Sequence, residues 1–216
     1  MAWAESELTG AYENYQAEFM NQPYSQACEN NKQPILAILS QAFESSQVVL
    51  EIGSGTGQHA VFFASQLPHL QWYTSDQPHY HEGINCWIDL HPATNLHRPL
   101  SLTIGEEPLP EIQADGIFTA NTAHIMQSAE VQSMMEQVAS TLPDTGVFCQ
   151  YGPFIQDGRF NSESNEAFHH KLISQGYGGY RDIEELQQWA PSLQLKTIHQ
   201  MPANNLLLEW QKDSGF

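Results

Sequence analysis

Positive charge is what this 216-residue chain has least of: 7 Lys and Arg stand against 25 Asp and Glu, a formal charge of −18 with His neutral. Duplex nucleic acid draws much of its binding energy from Lys and Arg neutralising phosphates, so a surface of this sign excludes nucleic acid and anionic membranes as expected partners. Long apolar runs are absent too. None approaches the roughly 18 residues that read as a membrane span, and residues 1–10 are acidic and polar, without the basic and apolar regions of a secretory signal. A cytoplasmic protein is expected. Cysteine is scarce: Cys28, Cys86 and Cys149 are odd in number and far apart, which excludes a disulfide framework and a paired-cysteine zinc knuckle. Cys149, inside an apolar run, reads as a small core residue rather than a nucleophile. Repeats, low-complexity tracts and long Gly/Ser/Pro linkers are missing as well, so nothing marks a domain boundary and one domain over residues 1–216 is expected. What remains is enough to fold, because 41% of residues are apolar and 10 Phe, 5 Trp and 8 Tyr supply large core side chains.

The apolar residues fall into a repeated alternation. Residues 34–43 read as a helix with Pro34 in its first turn. Residues 48–52 form a short β-branched run ended by Gly53, and residues 58–67 then read as a helix closed by Pro68. A second strand over 70–75 and a helix over 79–90 repeat the pattern. Residues 100–104, 115–121 and 146–151 supply the third, fourth and fifth strands, with a helix from about 129 to 142 between the last two. Helices are expected at 164–175 and 182–190, and the chain closes with strands at 193–199 and 206–210 joined across residues 201–205. Such alternation implies an α/β fold: a doubly wound, mostly parallel sheet with helices on both faces and an antiparallel last strand.

The densest motif lies between the first strand and its helix: Glu51-Ile52-Gly53-Ser54-Gly55-Thr56-Gly57-Gln58. Glycines let the backbone turn tightly and approach a ligand with no Cβ in the way, and the helix behind them offers unpaired N–H groups. The dinucleotide fingerprint is GxGxxG; here the spacing is Gly53-x-Gly55-x-Gly57, with Gln58 where the last glycine belongs. A chain so poor in cations suits a nucleoside cofactor without phosphates, such as the sulfonium S-adenosylmethionine (SAM), whose positive groups favour a carboxylate like Glu51. Asp76 lies 19 residues beyond Gly57 at the end of the second strand, close to the interval of about 20 at which an acid reaches ribose hydroxyls. Alone, the glycines are a flexible turn and Asp76 a helix cap. Strand, glycines, helix and downstream acid together read as a nucleoside site.

These residues resemble the class I SAM-dependent methyltransferases, and among them the methyltransferase-like protein 26 family. The likeness extends along nearly the whole chain. It also rests on Glu29-Asn30-Asn31-Lys32-Gln33-Pro34-Ile35, Ser75-Asp76, Asn121-Thr122-Ala123-His124, Tyr151-Gly152-Pro153, Ser164-Asn165, Arg181-Asp182 and Met201-Pro202-Ala203-Asn204-Asn205. The resemblance implies a seven-stranded Rossmann-like sheet with an antiparallel last strand, SAM across the carboxyl ends of the first strands, and an N-terminal helical lid over about residues 1–45. Carried over by position, Glu51, Gly53, Ser54, Gly55 and Gly57 would hold the methionine part of SAM, Asp76 its ribose, and Asn121 its edge at the end of the fourth strand. Thr103 stands where the resemblance places an acid beside the adenine amino group, and its hydroxyl can accept a hydrogen bond.

Methyl transfer asks a protein mainly for proximity and orientation, with a base only where the nucleophile carries a proton. His124 follows the fourth strand and Tyr151 ends the fifth, where ligands of such sheets bind. They are the catalytic candidates; a backbone-satisfied imidazole and a packing phenol are the plainer readings. Glu29, Asn31 and Lys32 would lie in the lid over cofactor or substrate; the plainer reading is helix capping by Asn30 or Asn31 and a solvated Lys32. His59, in the first turn after the glycines, would touch substrate or only pack. His79, His81, His91 and His97 lack metal-ligand spacing, and no HExxH pattern accompanies them, so no metal is expected. The expected activity is SAM-dependent methyl transfer to a small-molecule or protein acceptor, leaving S-adenosylhomocysteine (SAH). Two other readings stay open: a protein of this fold that binds SAM without turnover, and an NAD-dependent oxidoreductase, for which GxGxxG spacing should be present.

Overall fold

The apolar runs assemble into one seven-stranded sheet of order β3-β2-β1-β4-β5-β7-β6. The structure, a computed structural model, describes residues 22–215, so residues 1–21 of the expected lid lie outside the described residues. Strands β1 (Val48–Ile52), β2 (Gln71–Asp76), β3 (Leu96–Ser101), β4 (Gly116–Ala120) and β5 (Val147–Gly152) pair in parallel. Strand β7 (Asn205–Lys212) runs antiparallel to β5 and to β6 (Leu193–Met201). The chain leaves β1 toward β2 and later returns to its other side as β4. That reversal opens a crevice at the carboxyl ends of β1 and β4, where open α/β sheets bind ligands.

Side-chain alternation along the strands sorts the core into two layers. Val49, Trp72, Phe118 and Cys149 pack on helices α1 (Gln26–Ala42), α2 (Gln58–Gln66) and α3 (His81–Leu90). Leu50, Ile52, Ile117, Phe148 and Trp210 pack on α4 (Ser128–Thr141) and α6 (Ile183–Trp189), while α5 (Glu163–Ser174) follows β5. Phe63 of α2 meets Phe118 edge-on at 5.5 Å and Trp72 at 5.6 Å. Burying side chains of this size is worth about 1.5–3 kcal/mol each, which fixes α2, and with it the end of the glycine loop, against the sheet.

Several expected boundaries are corrected. The third strand is Leu96–Ser101 rather than residues 100–104. Pro99 and the polar His97 and Arg98 disguise it, but β3 is an edge strand, where proline is tolerated because not every N–H has a ladder partner. The first helix starts at Gln26, and Pro34 lies inside it. Its cap is Ser25, whose Oγ accepts from the Cys28 N–H at 3.3 Å, so Asn31 is a buried helical residue and no cap. Pro34 costs the helix one internal bond; the fully buried Ile35 and Leu39 on either side of the next turn outweigh it. The last two strands are longer than expected, and the turn between them holds Ala203 and Asn204 at φ of 57° and 56°. Among the described residues, no helix is long and apolar enough to cross a membrane.

Candidate active site

The pleat of β1 turns Glu51 toward the α1–α2 layer, where it is 2% exposed. Its Oε2 accepts from Ser54 Oγ at 3.0 Å and from Trp72 Nε1 at 3.1 Å. Burial, with the Asp76 charge adding to it, nevertheless raises the Glu51 pKa to about 7. The loop that follows is stitched to β2. The N–H groups of Gly53 and Ser54 both donate to the Ser75 carbonyl at 3.0 Å, and Ser75 Oγ donates to the Glu51 carbonyl at 2.7 Å. Gly55 N–H donates to Asp76 Oδ2 at 2.7 Å, and Gln77 N–H to Asp76 Oδ1 at 2.8 Å. Gly57 has φ of 88°, and a Cβ there would lie 3.0 Å from the Ile84 Cα; both the left-handed turn and the close approach of α3 require glycine. Glu51, Ser54, Gly55 and Asp76 thus share one hydrogen-bonded turn across the ends of β1 and β2.

Gln58 ties α1 to this turn, although nothing in the sequence marks it beyond its place where the fingerprint's last glycine belongs. It is 2% exposed. Its Oε1 accepts from the Ser25 N–H at 2.5 Å and from Thr56 Oγ1 at 3.1 Å. Its Nε2 donates to Glu29 Oε1 at 3.1 Å and to the Ser25 carbonyl at 3.4 Å. The other Glu29 oxygen accepts from Lys32 Nζ at 2.5 Å, a bond that holds the Glu29 carboxyl below its ordinary pKa. Lys32 itself sits 5.0 Å from the centre of the Phe62 ring.

His59 packs. Its ring stacks on Phe63 at 5.2 Å, and its Nε2 donates to Asn31 Oδ1 at 2.7 Å. Burial lowers its pKa to about 4 and keeps it neutral. The Tyr151 hydroxyl hydrogen-bonds with the side chains of Asn31 and Asn205, and burial raises its pKa. His59, Asn31 and Tyr151 therefore form a buried polar chain from α2 through α1 to β5, which ends on the half-buried Asn205 at the start of β7.

Asn121 and His124 lie on the far side of the β4 end. Asn121 has φ of 60°, and its N–H donates to the Tyr151 carbonyl at 2.9 Å. His124 is 8% exposed, and burial lowers its pKa to about 4. Phe168 and Tyr180 stand edge-on to it at 6.3 and 6.1 Å. Thr103 follows β3, and its N–H donates to Glu107 Oε2 at 2.7 Å. Glu107, four residues downstream, is brought back against Thr103 by a turn in which its N–H donates to the Thr103 carbonyl. Among the described residues, no group of three or more His, Cys, Asp or Glu is arranged to hold a metal ion.

A family model described as protein of unknown function, DUF938, matches residues 22–212. The chain belongs to the DUF938 family. Its fold is also that of solved methyltransferases. An O-methyltransferase family 2 protein from Planctomyces limnophilus, in complex with apigenin, is 16% identical with a TM-score of 0.75, covering 85% of this chain and 56% of its own. Human N-acetylserotonin methyltransferase in complex with SAM is 15% identical with a TM-score of 0.67, covering 85% and 55%. The O-methyltransferase NcsB1 from neocarzinostatin biosynthesis, with SAM and a naphthoic acid, is 15% identical with a TM-score of 0.71, covering 86% and 54%. The DUF938 chain thus spans just over half the length of these solved structures, and at such identity the likeness is one of fold: the methyltransferase Rossmann-like sheet.

At the switch point of that sheet, the DUF938 protein presents two buried carboxylates, Glu51 and Asp76, and a backbone loop free of Cβ atoms at Gly53, Gly55 and Gly57. A cation beside Glu51 would favour its ionised form and so offset the effect of burial on its pKa. The α2 N-terminus, where a pyrophosphate would rest in a dinucleotide enzyme, is faced instead by the Glu29 carboxylate through Gln58.

Proposed function

We propose that this DUF938 protein is a class I SAM-dependent methyltransferase that passes a methyl group to a small-molecule or protein acceptor and releases SAH. The observation that carries the reading is the joined pair at the ends of β1 and β2. Glu51 reaches Ser54, and Gly55 of the same loop reaches Asp76. This supports the reading, because a carboxyl that can accept from a charged amino group lies one strand away from one that can accept from a ribose diol, with bare backbone between them. The solved neighbours that hold SAM support the same general reaction. When bound, SAM supplies a methyl group on a positively charged sulfur.

The chain's own residues do the rest. Glu51 and Ser54 offer the methionine part a carboxyl site that gives up its proton as the cationic group binds, Asp76 accepts from the ribose hydroxyls, and Asn121 borders the cofactor at the end of β4. Thr103 and Glu107 stand at the adenine side. Helix α1, held by Gln58, covers the loop and excludes water, with Glu29, Asn31 and Lys32 as its inner and flanking residues. Proximity and orientation lower the barrier to an in-line displacement. The single-domain reading, the lid over about residues 1–45, the cytoplasmic location and the narrower likeness to the methyltransferase-like protein 26 family belong to this proposal and rest on the sequence motifs. The spacing Gly53-x-Gly55-x-Gly57, with Gln58 where the dinucleotide fingerprint has its last glycine, disfavours the NAD-dependent alternative.

Titration calorimetry with SAM, SAH and NAD on the wild type and Asp76→Ala tests the reading. Binding of SAM and SAH that is lost in the variant is expected. No binding of either, or a preference for NAD, overturns it; tight SAM binding with no methylated product from any acceptor would leave the chain a SAM-binding protein without turnover.

A further inference from the structure

We propose that the ends of β4 and β5 form the acceptor site, and that it takes a flat, uncharged hydroxyl compound whose proton passes to His124. This rests on the methyltransferase reading and narrows it. His124 is 8% exposed, no hydrogen bond to its ring nitrogens is found among the described residues, and neither nitrogen is among the fully enclosed unpaired atoms, so the imidazole reaches open space where a ligand can pair with it. Gly152 lies beside it. A Cβ at that position would sit 3.8 Å from His124 Nδ1 and 3.9 Å from the Asn121 N and Cα, so the glycine leaves a methyl-sized space between imidazole and strand ends.

The walls of this space are aromatic. Phe168 and Tyr180 stand edge-on to the imidazole, and Tyr180 is held by its N–H donating to His169 Nδ1 at 3.0 Å. Ring edges and faces at this spacing suit a planar, apolar body. The mouth is apolar as well: Ile125, Phe168 and Tyr177 are all more than two-fifths exposed. The loop of Tyr177 is bound to that of Ile125 through the Gly178 N–H on the Ile125 carbonyl at 3.3 Å.

Charge completes the case. Arg181 is next to Tyr180, but its guanidinium donates to the carbonyls of Gly178 and Gly179. An anionic acceptor would find no free countercharge from it. In the reaction, a lone pair of the acceptor oxygen forms the O–CH3 bond as the S–CH3 bond breaks, and the electrons of the latter stay on sulfur, leaving neutral SAH. The hydroxyl proton moves to a ring nitrogen of His124 and then to water.

The experiment is calorimetry of the full chain with SAH, hydroxybiphenyl and biphenyl carboxylate, followed by assay of methoxybiphenyl formed from SAM. Hydroxybiphenyl is expected to bind at least about tenfold more tightly than the carboxylate. Phe168→Ala, at an exposed position, should weaken hydroxybiphenyl about tenfold and leave SAH binding unchanged. His124→Gln should keep hydroxybiphenyl binding and lose methoxybiphenyl formation by about a hundredfold or more. Equal or tighter binding of the carboxylate, or no hydroxybiphenyl binding by a chain that binds SAH, overturns the acceptor site alone. Full methylation by His124→Gln overturns the proton role. Absence of SAH binding overturns this inference together with the reading beneath it.

Discussion

Gln58 and Glu29 join the helix before the first strand to the helix after the glycine loop: Gln58 Nε2 donates to Glu29 Oε1 at 3.1 Å. The two residues are far apart in sequence, and the bond places one end of α1 directly over the turn that carries Gly53, Gly55 and Gly57. Because the same amide also holds both backbone groups of Ser25, the cover and the loop behave as one unit.

Gln58→Leu removes these bonds while keeping the buried volume. With a net value near 1 kcal/mol for each hydrogen bond, and with Glu29 and Ser25 left unpaired, about 2–3 kcal/mol of stability should be lost in urea unfolding. Hydrogen exchange should speed up at residues 25–32 before any other helix. Unchanged exchange there would show that packing alone seats α1.

Glu51 sets a stability slope of unusual sign for a carboxylate. Its pKa is raised from 4.5 to about 7, so the folded state binds a proton more tightly than the unfolded chain. Its contribution is complete below pH 4.5 and is lost as pH rises to about 7, on the order of 3 kcal/mol. Glu51→Gln should abolish that loss, so wild type and variant diverge between pH 5 and pH 8 in urea unfolding, with the variant the more stable at the alkaline end.

Cofactor binding should couple to the same group. A cationic amino group beside Glu51 lowers its pKa, so binding of SAM or SAH near pH 7 should release about half a proton. Calorimetry in two buffers of different ionisation heat reads this directly. The release should vanish in Glu51→Gln, along with most of the affinity.

His59 and His124 act in the opposite direction. Both are lowered from 6.5 to about 4 by burial, so between those values the unfolded chain binds protons that the folded one does not. Stability should fall as pH drops from 6.5 toward 4, by about 1.4 kcal/mol per pH unit for each site. His124→Gln should reduce the acid slope measured by urea unfolding by one proton and leave the alkaline limb set by Glu51 intact.

Gly57→Ala tests the close approach of α3. A Cβ would meet the Ile84 backbone at 3.0 Å in a left-handed residue, so a loss of about 1–3 kcal/mol is expected, read as a lower thermal midpoint. Gly55→Ala meets no atom within 4 Å at its Cβ, and should cost the fold less while still crowding a ligand that approaches the loop.

By itself the sequence determined what depends on neighbours along the chain. The β-branched run at 48–52, the glycines and the amphipathic helix behind them specify strand, left-handed turn and helix within a dozen residues, because backbone angles and side-chain period are local properties. The interval to Asp76 carried the same information one strand further. Tertiary structure decided the rest. Whether Pro99 ends a strand or lies within one depends on β3 being an edge. Whether Asn31 caps a helix or lies buried in it depends on the packing that carries α1 past Pro34. The acid beside Thr103 is Glu107, brought back by a turn that no spacing rule marks. From sequence His59 and Tyr151 read either as cleft residues or as packing ones, and only the fold brings them onto Asn31 and Asn205, whereas His124 is left with its nitrogens unpaired. Which polar side chain meets which is set by contacts between distant segments, and those exist only once the two core layers have closed on the sheet.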